Sequence, residues 1–233
     1  MGPVPRLSRL LFAVLAVPML TGCAALGLPT LPGGSVDPLA ADILASPDPA
    51  ASPLSDTATD IASPDGYALT LPAGWAASDL AGQDTLPLTD ALAATDPALG
   101  TLARGALDQS GARLSLLAVD AVAAASGTWA PGILVSTMRT RSDKTAARHM
   151  VEDLLAQAPL ATDVSHSVEG LPAGDAHRYD AVITGDTLDV EVQVYVFRVG
   201  GTSYIVGAVA PEDQFAASQP AFDAILKSLR FGL

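Results

Sequence analysis

The chain has 233 residues, of which 49% are hydrophobic and 16% are charged, a composition that suits one domain with appended segments. It carries 25 Asp and Glu against 12 Lys and Arg, and its formal net charge is −13. Because phosphate groups are bound through Lys and Arg, the composition excludes nucleic acid as a partner. It also disfavours electrostatic adhesion to anionic lipid heads. The single cysteine excludes a disulfide within the chain.

The first 23 residues have the three parts of an export signal in the expected order. Arg6 and Arg9 supply a positive start, and residues 10–20 (LLFAVLAVPML) supply an apolar stretch. This stretch is too short for a membrane-spanning helix, which needs about 20 residues, whereas its length is typical of a secretory signal. The sequence therefore predicts that residues 1–22 are a signal peptide that is removed.

The signal ends in Leu20-Thr21-Gly22-Cys23, which resembles the lipobox of bacterial lipoproteins. The resemblance implies that a diacylglyceryl group alkylates the Cys23 thiol, that the chain is cut before Cys23 and that the new amine is acylated. Two or three acyl chains hold a protein on a membrane stably, whereas one holds it weakly. We therefore expect Cys23 to be the lipidation site and the protein to lie at the cell membrane, on its extracytoplasmic side. The alternative is an unmodified cysteine at the end of an ordinary signal peptide.

Residues 23–65 have the composition of a linker. Proline recurs among Ala, Ser, Asp and Gly in this segment, and no aromatic residue occurs between Phe12 and Tyr67. Repeated proline blocks helix and sheet alike, and few bulky side chains are present to offset the entropy of ordering. We predict a disordered tether over residues 23–65 and a folded domain over residues 66–233.

The folded part alternates between the apolar spacings of strands and of helices. Strands are predicted at residues 67–71, 113–120, 133–140 and 164–168, and helices within residues 86–107, 142–159 and 220–229. Pro97 and Gly100 divide the first helical segment into two short helices. Pro220 is placed in the first turn of the last helix, where a missing N–H costs least.

Two tight turns, at Gly185-Asp186 and Gly200-Gly201, predict two consecutive hairpins between residues 175 and 210. Two-residue loops place the following residues opposite each other: Ile183 and Leu188, Ala181 and Val190, Tyr179 and Val192, Val196 and Ile205, and Val194 and Gly207. All these pairs fall on one face, as a correct register requires. The other face becomes apolar near the second turn, so both faces need cover. The predicted fold class is α/β (α+β), an antiparallel β-sheet sandwiched between helices.

The start and the end of the predicted domain resemble those of PsbP-like domains in bacterial lipoproteins of the LpqN and LpqT type. The similarity lies in residues 66–75 (GYALTLPAGW) and residues 222–231 (FDAILKSLRF). It implies an α/β/α sandwich over residues 66–233, which agrees with the hairpin pattern. It also implies an accessory or binding role and transfers no catalytic residues to this chain.

The sequence contains no arrangement typical of a catalytic or cofactor site. It has no Gly-x-Ser-x-Gly elbow, no His-Glu-x-x-His helix and no Walker-type Gly-rich loop, and lipid would consume the Cys23 thiol. We predict that His149 lies on a solvated helix face, that His166 is partly buried with a hydrogen bond, and that His177 shares a face with Tyr179. No two of them are four residues apart, so a helix-borne zinc pair is not expected. The prediction is a non-enzymatic protein without cofactor-binding or metal-binding residues.

One acidic cluster, Asp180, Asp189 and Glu191, is predicted on the polar face of the first hairpin. The two-residue turn places Asp180 opposite Glu191, and such a like-charge pair costs stability unless it is compensated. Arg178 is the available compensator, which makes a solvated face with ion pairs the leading interpretation. The alternative is a weak Ca²⁺ site built from these carboxylates.

These features predict an anchored envelope lipoprotein whose tethered domain is an accessory module that binds another protein. The alternative is a carrier or sensor of a small apolar, lipid-like ligand, because a core rich in Ala and Val has few bulky groups to fill it. Trp129, in residues 126–132 (SGTWAPG), is either an exposed contact for the partner or a cover for the core.

Overall fold

The structure is a computed structural model that describes residues 57–80, 86–110, 112–126, 129–139, 145–158 and 160–232. Residues 1–56, with the predicted signal peptide, Cys23 and most of the predicted linker, lie outside the described residues, so what was predicted for them stays a prediction. Within these described ranges, no helix is both long and apolar enough to cross a membrane.

Ten strands and five helices make up the described part of the chain. The strands are Thr59–Ser63 (β1), Tyr67–Leu71 (β2), Trp75–Asp79 (β3), Arg113–Asp120 (β4), Gly132–Arg139 (β5), Ala161–Leu171 (β6), Gly174–Thr184 (β7), Asp189–Val199 (β8), Thr202–Pro211 (β9) and Arg230–Phe231 (β10). The helices are Leu86–Thr95 (α1), Pro97–Ser110 (α2), Ala121–Ala125 (α3), Ala146–Gln157 (α4) and Glu212–Ser228 (α5).

The main sheet has seven strands in the order β3-β4-β5-β9-β8-β7-β6, and every neighbouring pair is antiparallel. A second, small sheet has the order β1-β2-β10 and is also antiparallel. The strands from β6 to β9 pair in chain order, and β9 then returns to pair with β5. The chain therefore leaves β6 at one edge of the main sheet.

Apolar layers cover both faces of the main sheet. Successive residues of β8 alternate between them: Val192 and Val194 belong to one buried cluster, and Tyr195 belongs to the other. The first cluster includes buried residues of α1, α2 and α4, whereas the second includes residues of α5 and the small sheet. The predicted fold class, an antiparallel sheet between helices, is confirmed.

Two predicted boundaries are wrong. The strand β1 lies in a segment assigned to the linker, so the folded part begins before Gly66. The helix α5 begins at Glu212 rather than at Pro220, which lies inside it. Glu212 and Asp213 suit the positive end of a helix. Pro220 is exposed, and so is residue 216, whose carbonyl loses its helical donor; water can therefore take that donor's place.

The register of the first hairpin is also wrong, although the predicted face is right. The observed pairs are Ile183 with Val190, Ala181 with Val192, and Tyr179 with Val194, so the loop has four residues rather than two. Asp96 explains the difference, because its carboxylate accepts hydrogen bonds from the N–H and the hydroxyl of Thr187. The second hairpin has the predicted register, with Val196 opposite Ile205 and Val194 opposite Gly207.

Candidate functional site

The edge strand β6 is the most exposed element of the main sheet. All residues from 162 to 168 are exposed, on both faces of the strand. Among the described strands, β6 pairs only with β7, so its outer side presents backbone N–H and C=O groups that no other strand of this set bonds. The opposite edge, β3, has five residues, whereas β6 has eleven. The long edge is therefore the one that a further strand could extend.

The middle of β6 lacks the features that usually protect an edge strand. Residues 164–168 (VSHSV) contain no Lys, Asp, Glu or Pro, although charges and proline are the common means of blocking edge-to-edge pairing. Val164 and Val168 remain 48% and 62% exposed. Protection lies towards the ends of the strand. At its start the register shifts between Thr162 and Ser165 and Asp163 has a φ of 51°, and Glu169 follows Val168.

A groove of about 350 Å³ lies between α4 and the outer strands. The helix contributes Glu152, Leu155 and Ala156, and the strands contribute Val164, Ser165, His166 and Tyr179. Val151 and Leu154 of the same helix are buried in the first core cluster, to which Leu155 also belongs. The groove is thus continuous with the exposed edge of β6 and has apolar and polar walls.

Two imidazoles lie side by side at this groove. His166 Nε2 and His177 Nδ1 are 3.1 Å apart, the ring centroids are 5.3 Å apart and the planes differ by 13°. The centroids are farther apart than the two nitrogens by about the width of one ring, so the rings lie edge to edge and not one above the other. The hydrogen bond therefore joins two nearly coplanar rings. The pair is a hydrogen bond between two imidazole nitrogens.

The phenol of Tyr179 completes the polar wall. Its ring stacks on that of His166, with centroids 4.6 Å apart, and its hydroxyl donates to Glu152 Oε1 at 2.9 Å. Burial and this bond to a carboxylate raise the pKa of Tyr179 well above its ordinary value. The Nε of Arg148 lies 3.4 Å from the same Glu152 Oε1. Burial, followed by the nearby Arg148 and His166, lowers the pKa of His177 below 6.5.

The structure places the three histidines partly as predicted. His149 is exposed. Its Nε2 lies 3.2 Å from Nη2 of Arg148, and its Nδ1 lies 3.4 Å from the hydroxyl of Thr145. His166 makes a hydrogen bond, as predicted, but it is exposed rather than partly buried. His177 shares the face of Tyr179 as predicted, whereas its contact with His166 was not predicted. Among the described residues, no group of three His, Cys, Asp or Glu side chains is placed to hold a metal ion.

The acidic cluster is arranged differently from the prediction. Asp180 lies opposite Gln193, and Glu191 lies opposite Val182, so the predicted pairing of Asp180 with Glu191 is wrong. The four-residue loop shifts the register by two residues and separates these carboxylates along the strands. Asp189 lies opposite residue 184, at the turn.

Arg178 compensates Asp180, as predicted. Its Nη2 and Nε donate to Asp180 Oδ1 at 2.7 and 2.9 Å, and its Nη1 lies 3.4 Å from Glu169. Burial alone would lower the pKa of Arg178, but the bonds to Asp180 and Glu169 raise it. Burial, with Asp180 and Glu212 nearby, raises the pKa of Glu191. The face is held by ion pairs.

Trp129 covers the core and does not offer an exposed contact. Its side chain is 7% exposed and packs in the cluster that α4 and β8 share. Its indole Nε1 is buried without a hydrogen-bond partner in the described part of the chain. The interpretation as a partner contact is therefore wrong for this residue, and the exposed surface lies at β6 instead.

No family model and no curated protein matches the chain, but several solved structures are similar to it. The chain is similar to LpqN of Mycobacterium tuberculosis, described as involved in cell envelope biogenesis, with 14% identity and a TM-score of 0.46 over 76% of this chain and 91% of that one. It is similar to cyanobacterial PsbP of Synechocystis, with 14% identity and a TM-score of 0.44 over 76% and 93%. It is similar to the Ran-binding protein Mog1p of Saccharomyces cerevisiae, with 11% identity and a TM-score of 0.41 over 75% and 95%. Both kinds of protein named by the sequence resemblance, LpqN and PsbP, are thus among these structures, at identities that transfer no residue role.

Proposed function

We propose that this chain is a membrane-anchored, extracytoplasmic accessory protein that has no enzymatic activity and binds another protein of the cell envelope. The partner adds an extended segment to the outer side of β6 and lies against the α4 groove. The observation that carries this proposal is the long edge of β6, with seven consecutive exposed residues and no charge between Val164 and Val168. Strand addition to such an edge is a recurrent mode of peptide recognition.

Strand addition would combine main-chain hydrogen bonds with burial of the two valines. Each hydrogen bond contributes about 0.5–1.5 kcal/mol net. Complete burial of a valine contributes about 1.5 kcal/mol or more, and Val164 and Val168 have about half of their surface left to bury. The entropy cost of association, about 4–15 kcal/mol, offsets most of this gain, so we expect the isolated contact to be weak. A weak contact suits a protein that a tether holds close to its partner.

The anchor supports this function by restricting the search. A linker of about 40 residues spans roughly 35 Å as a coil, so lipid on Cys23 would keep the domain within reach of envelope proteins and raise their effective concentration. Fractionation of cells that produce the Cys23→Ser chain tests the anchor. We expect the variant to leave the membrane fraction, and full retention there would contradict lipidation as the means of attachment.

The arrangement of side chains in the groove supports a binding role rather than catalysis. The Ser165 hydroxyl lies 3.3 Å from the carboxylate of Asp180 and has no imidazole as its hydrogen-bond partner. The Tyr179 phenol is bonded to Glu152, and its raised pKa keeps it protonated. A nucleophile needs an adjacent base to take its proton, and neither hydroxyl has the imidazole that commonly serves.

Mild detergent extraction of the tagged lipoprotein tests the binding function and its location. We expect the wild-type chain to elute in a complex, and a chain with Val164→Glu and Val168→Glu to lose it. Val122→Glu is the matched control, because Val122 is 64% exposed and lies on α3, away from β6. Loss of the complex in the control but not in the β6 variant would contradict the location. A wild-type chain that elutes alone would contradict the binding function.

A small apolar ligand is the second candidate, which the groove favours. Its volume of about 350 Å³ and the side chains of Leu155, Ala156 and Val164 fit a ligand of modest size. Native mass spectrometry of the protein isolated from its own membrane would show a retained mass, which Ala156→Trp should remove by filling the groove. A clean apo mass under gentle conditions would count against this candidate.

A further inference from the structure

The middle of β6 has a sequence that reads identically in both directions. Residues 164–168 are Val-Ser-His-Ser-Val, centred on His166. Two antiparallel strands related by a two-fold axis pair residues whose numbers have a constant sum, so an axis at His166 matches each residue with one of its own type. A two-fold interface requires such self-complementarity.

The side chains of this segment suit such a pairing. Val164, His166 and Val168 alternate with the two serines, so they project on the face that carries the α4 groove. Across the axis each Val164 would meet Val168 of the second copy, and Ser165 would meet Ser167 on the opposite face. Pairs of β-branched residues and pairs of hydroxyl side chains are favourable cross-strand neighbours. The five positions therefore match on both faces.

The charge distribution favours a second copy over a strongly basic partner. The chain carries a formal net charge of −13, yet residues 164–168 are uncharged, so two acidic copies can approach here without direct repulsion. At the ends, Asp163 would meet Glu169 of the second copy, whose carboxylate is already paired with Arg178 at 3.4 Å. The centre of the pairing thus contains no like charges. At each end, Arg178 compensates the charge of Glu169.

We propose that β6 binds β6 of a second copy of this chain, in antiparallel register with the two-fold axis at His166. This inference rests on the proposed function, since it names the partner of the same edge. The main sheets of the two copies become continuous, and both α4 helices lie on the same side of the joined sheet. The two grooves then form one surface near the axis, with the His166–His177 pair of each copy beside it.

The surface area that this dimer would bury is small, so the anchor matters to its stability. Stable interfaces bury about 1,200–2,000 Å², and one strand pair with its flanking helices is at the low end of that range. Confinement of two tethered copies to one membrane raises their effective concentration. The dimer is therefore expected on the membrane and in concentrated solution, and to dissociate on dilution.

Cysteine cross-linking of the anchored chain in its own membranes tests the register, because lipid on Cys23 would leave each introduced cysteine as the only free thiol. Residues directly opposite have Cβ atoms about 4.5–5.5 Å apart, within reach of a short bifunctional thiol reagent. We expect His166→Cys to give a covalent homodimer and Val164→Cys alone to give none, because its two copies lie four residues, or about 13 Å, apart along the strand. An equal mixture of Val164→Cys and Val168→Cys chains should cross-link, and this pair keeps His166 intact.

The outcomes separate this inference from the proposed function. Absence of a homodimer in both His166→Cys and the valine mixture overturns the dimer, whatever else is captured. Equal yields from His166→Cys and Val164→Cys alone overturn the register, since they indicate random collision. If a different envelope protein is captured at residue 166 instead, the dimer is overturned and the protein-binding function stands.

Discussion

Replacement of Asp96 by alanine should destabilise the protein far more than replacement of an exposed carboxylate such as that of Asp90. Asp96 is completely buried, at 0% exposure, between α1 and α2. Its Oδ1 accepts from the Leu99 N–H at 2.9 Å, and its Oδ2 accepts from the N–H and the hydroxyl of Thr187 at 2.8 and 3.0 Å. One side chain thus caps α2 and fixes the loop between β7 and β8.

The magnitude follows from the donors that Asp96→Ala leaves behind. Loss of a helix cap costs about 0.5–2 kcal/mol, and a buried donor left without a partner costs about 1–3 kcal/mol. Removal of a desolvated charge offsets part of this loss. We expect the free energy of unfolding to fall by about 3 kcal/mol, which for a domain of this size lowers the Tm by roughly 10 °C.

Urea unfolding followed by tryptophan fluorescence measures this loss, because Trp75 and Trp129 are both buried. Asp90→Ala is the matched control on α1, since Asp90 is exposed and pairs only with exposed Arg104; it should cost less than about 1 kcal/mol. If Asp96→Ala were no more destabilising than Asp90→Ala, Asp96 would not hold the loop.

The pH dependence of the Asp96 contribution has a definite sign. Burial alone would raise its pKa, but the hydrogen bonds from Leu99 and Thr187 lower it below the ordinary value of 3.8. Its stabilising contribution is therefore complete above pH 3.8 and is lost as the pH falls through the folded-state pKa. Asp96→Asn should remove this part of the acid sensitivity while it keeps one acceptor oxygen.

Three further predictions concern the groove and the first hairpin. The pKa of His177 is lower in the folded chain than in the unfolded chain, so near pH 6.5 the unfolded chain binds more protons. The free energy of unfolding should therefore fall as the pH falls from about 6.5 through the folded-state pKa. His177→Gln should flatten that slope, and an NMR titration with a His177 pKa at or above 6.5 would contradict it. Tyr179→Phe removes the bond to Glu152 and should cost about 0.5–1.5 kcal/mol in urea unfolding; an unchanged midpoint would show that this bond adds nothing to stability. Gly185→Ala places a Cβ 2.5 Å from a carboxylate oxygen and from a carbonyl oxygen and should destabilise by about 1–3 kcal/mol; Gly170→Ala, with its nearest atom at 3.7 Å, is the control, and equal losses would refute the steric reason.

Local patterns predicted most of the strands and the sandwich, because alternation and helical spacing depend on burial at each position. The strand β4 has the predicted bounds, and α1 ends immediately before Asp96 and Pro97. The register of the first hairpin was wrong because a residue about 90 positions away determines its loop. The helix α2 and four strands, β4 to β7, lie between Asp96 and Thr187 in the chain, and no local turn rule contains that contact.

The candidate site could be predicted only in part for a similar reason. The valines of β6 were recognised as a strand, but whether a strand lies at an edge depends on the order of the whole sheet. The contact between His166 and His177 depends on the pairing of β6 with β7, which the sequence did not specify. The absence of charge in residues 164–168 was the available signal, since edge strands usually carry charge.

Site-specific photo-crosslinking in intact cells tests the binding function most directly. A photoreactive phenylalanine at Val168 of the anchored chain should capture protein at β6, whereas the same group at Val122, equally exposed on α3, should capture little. Mass spectrometry of the products would identify a specific envelope protein, or a second copy of this chain, at position 168. Capture that is equal at the two positions, or that follows protein abundance alone, would contradict β6 as the binding edge.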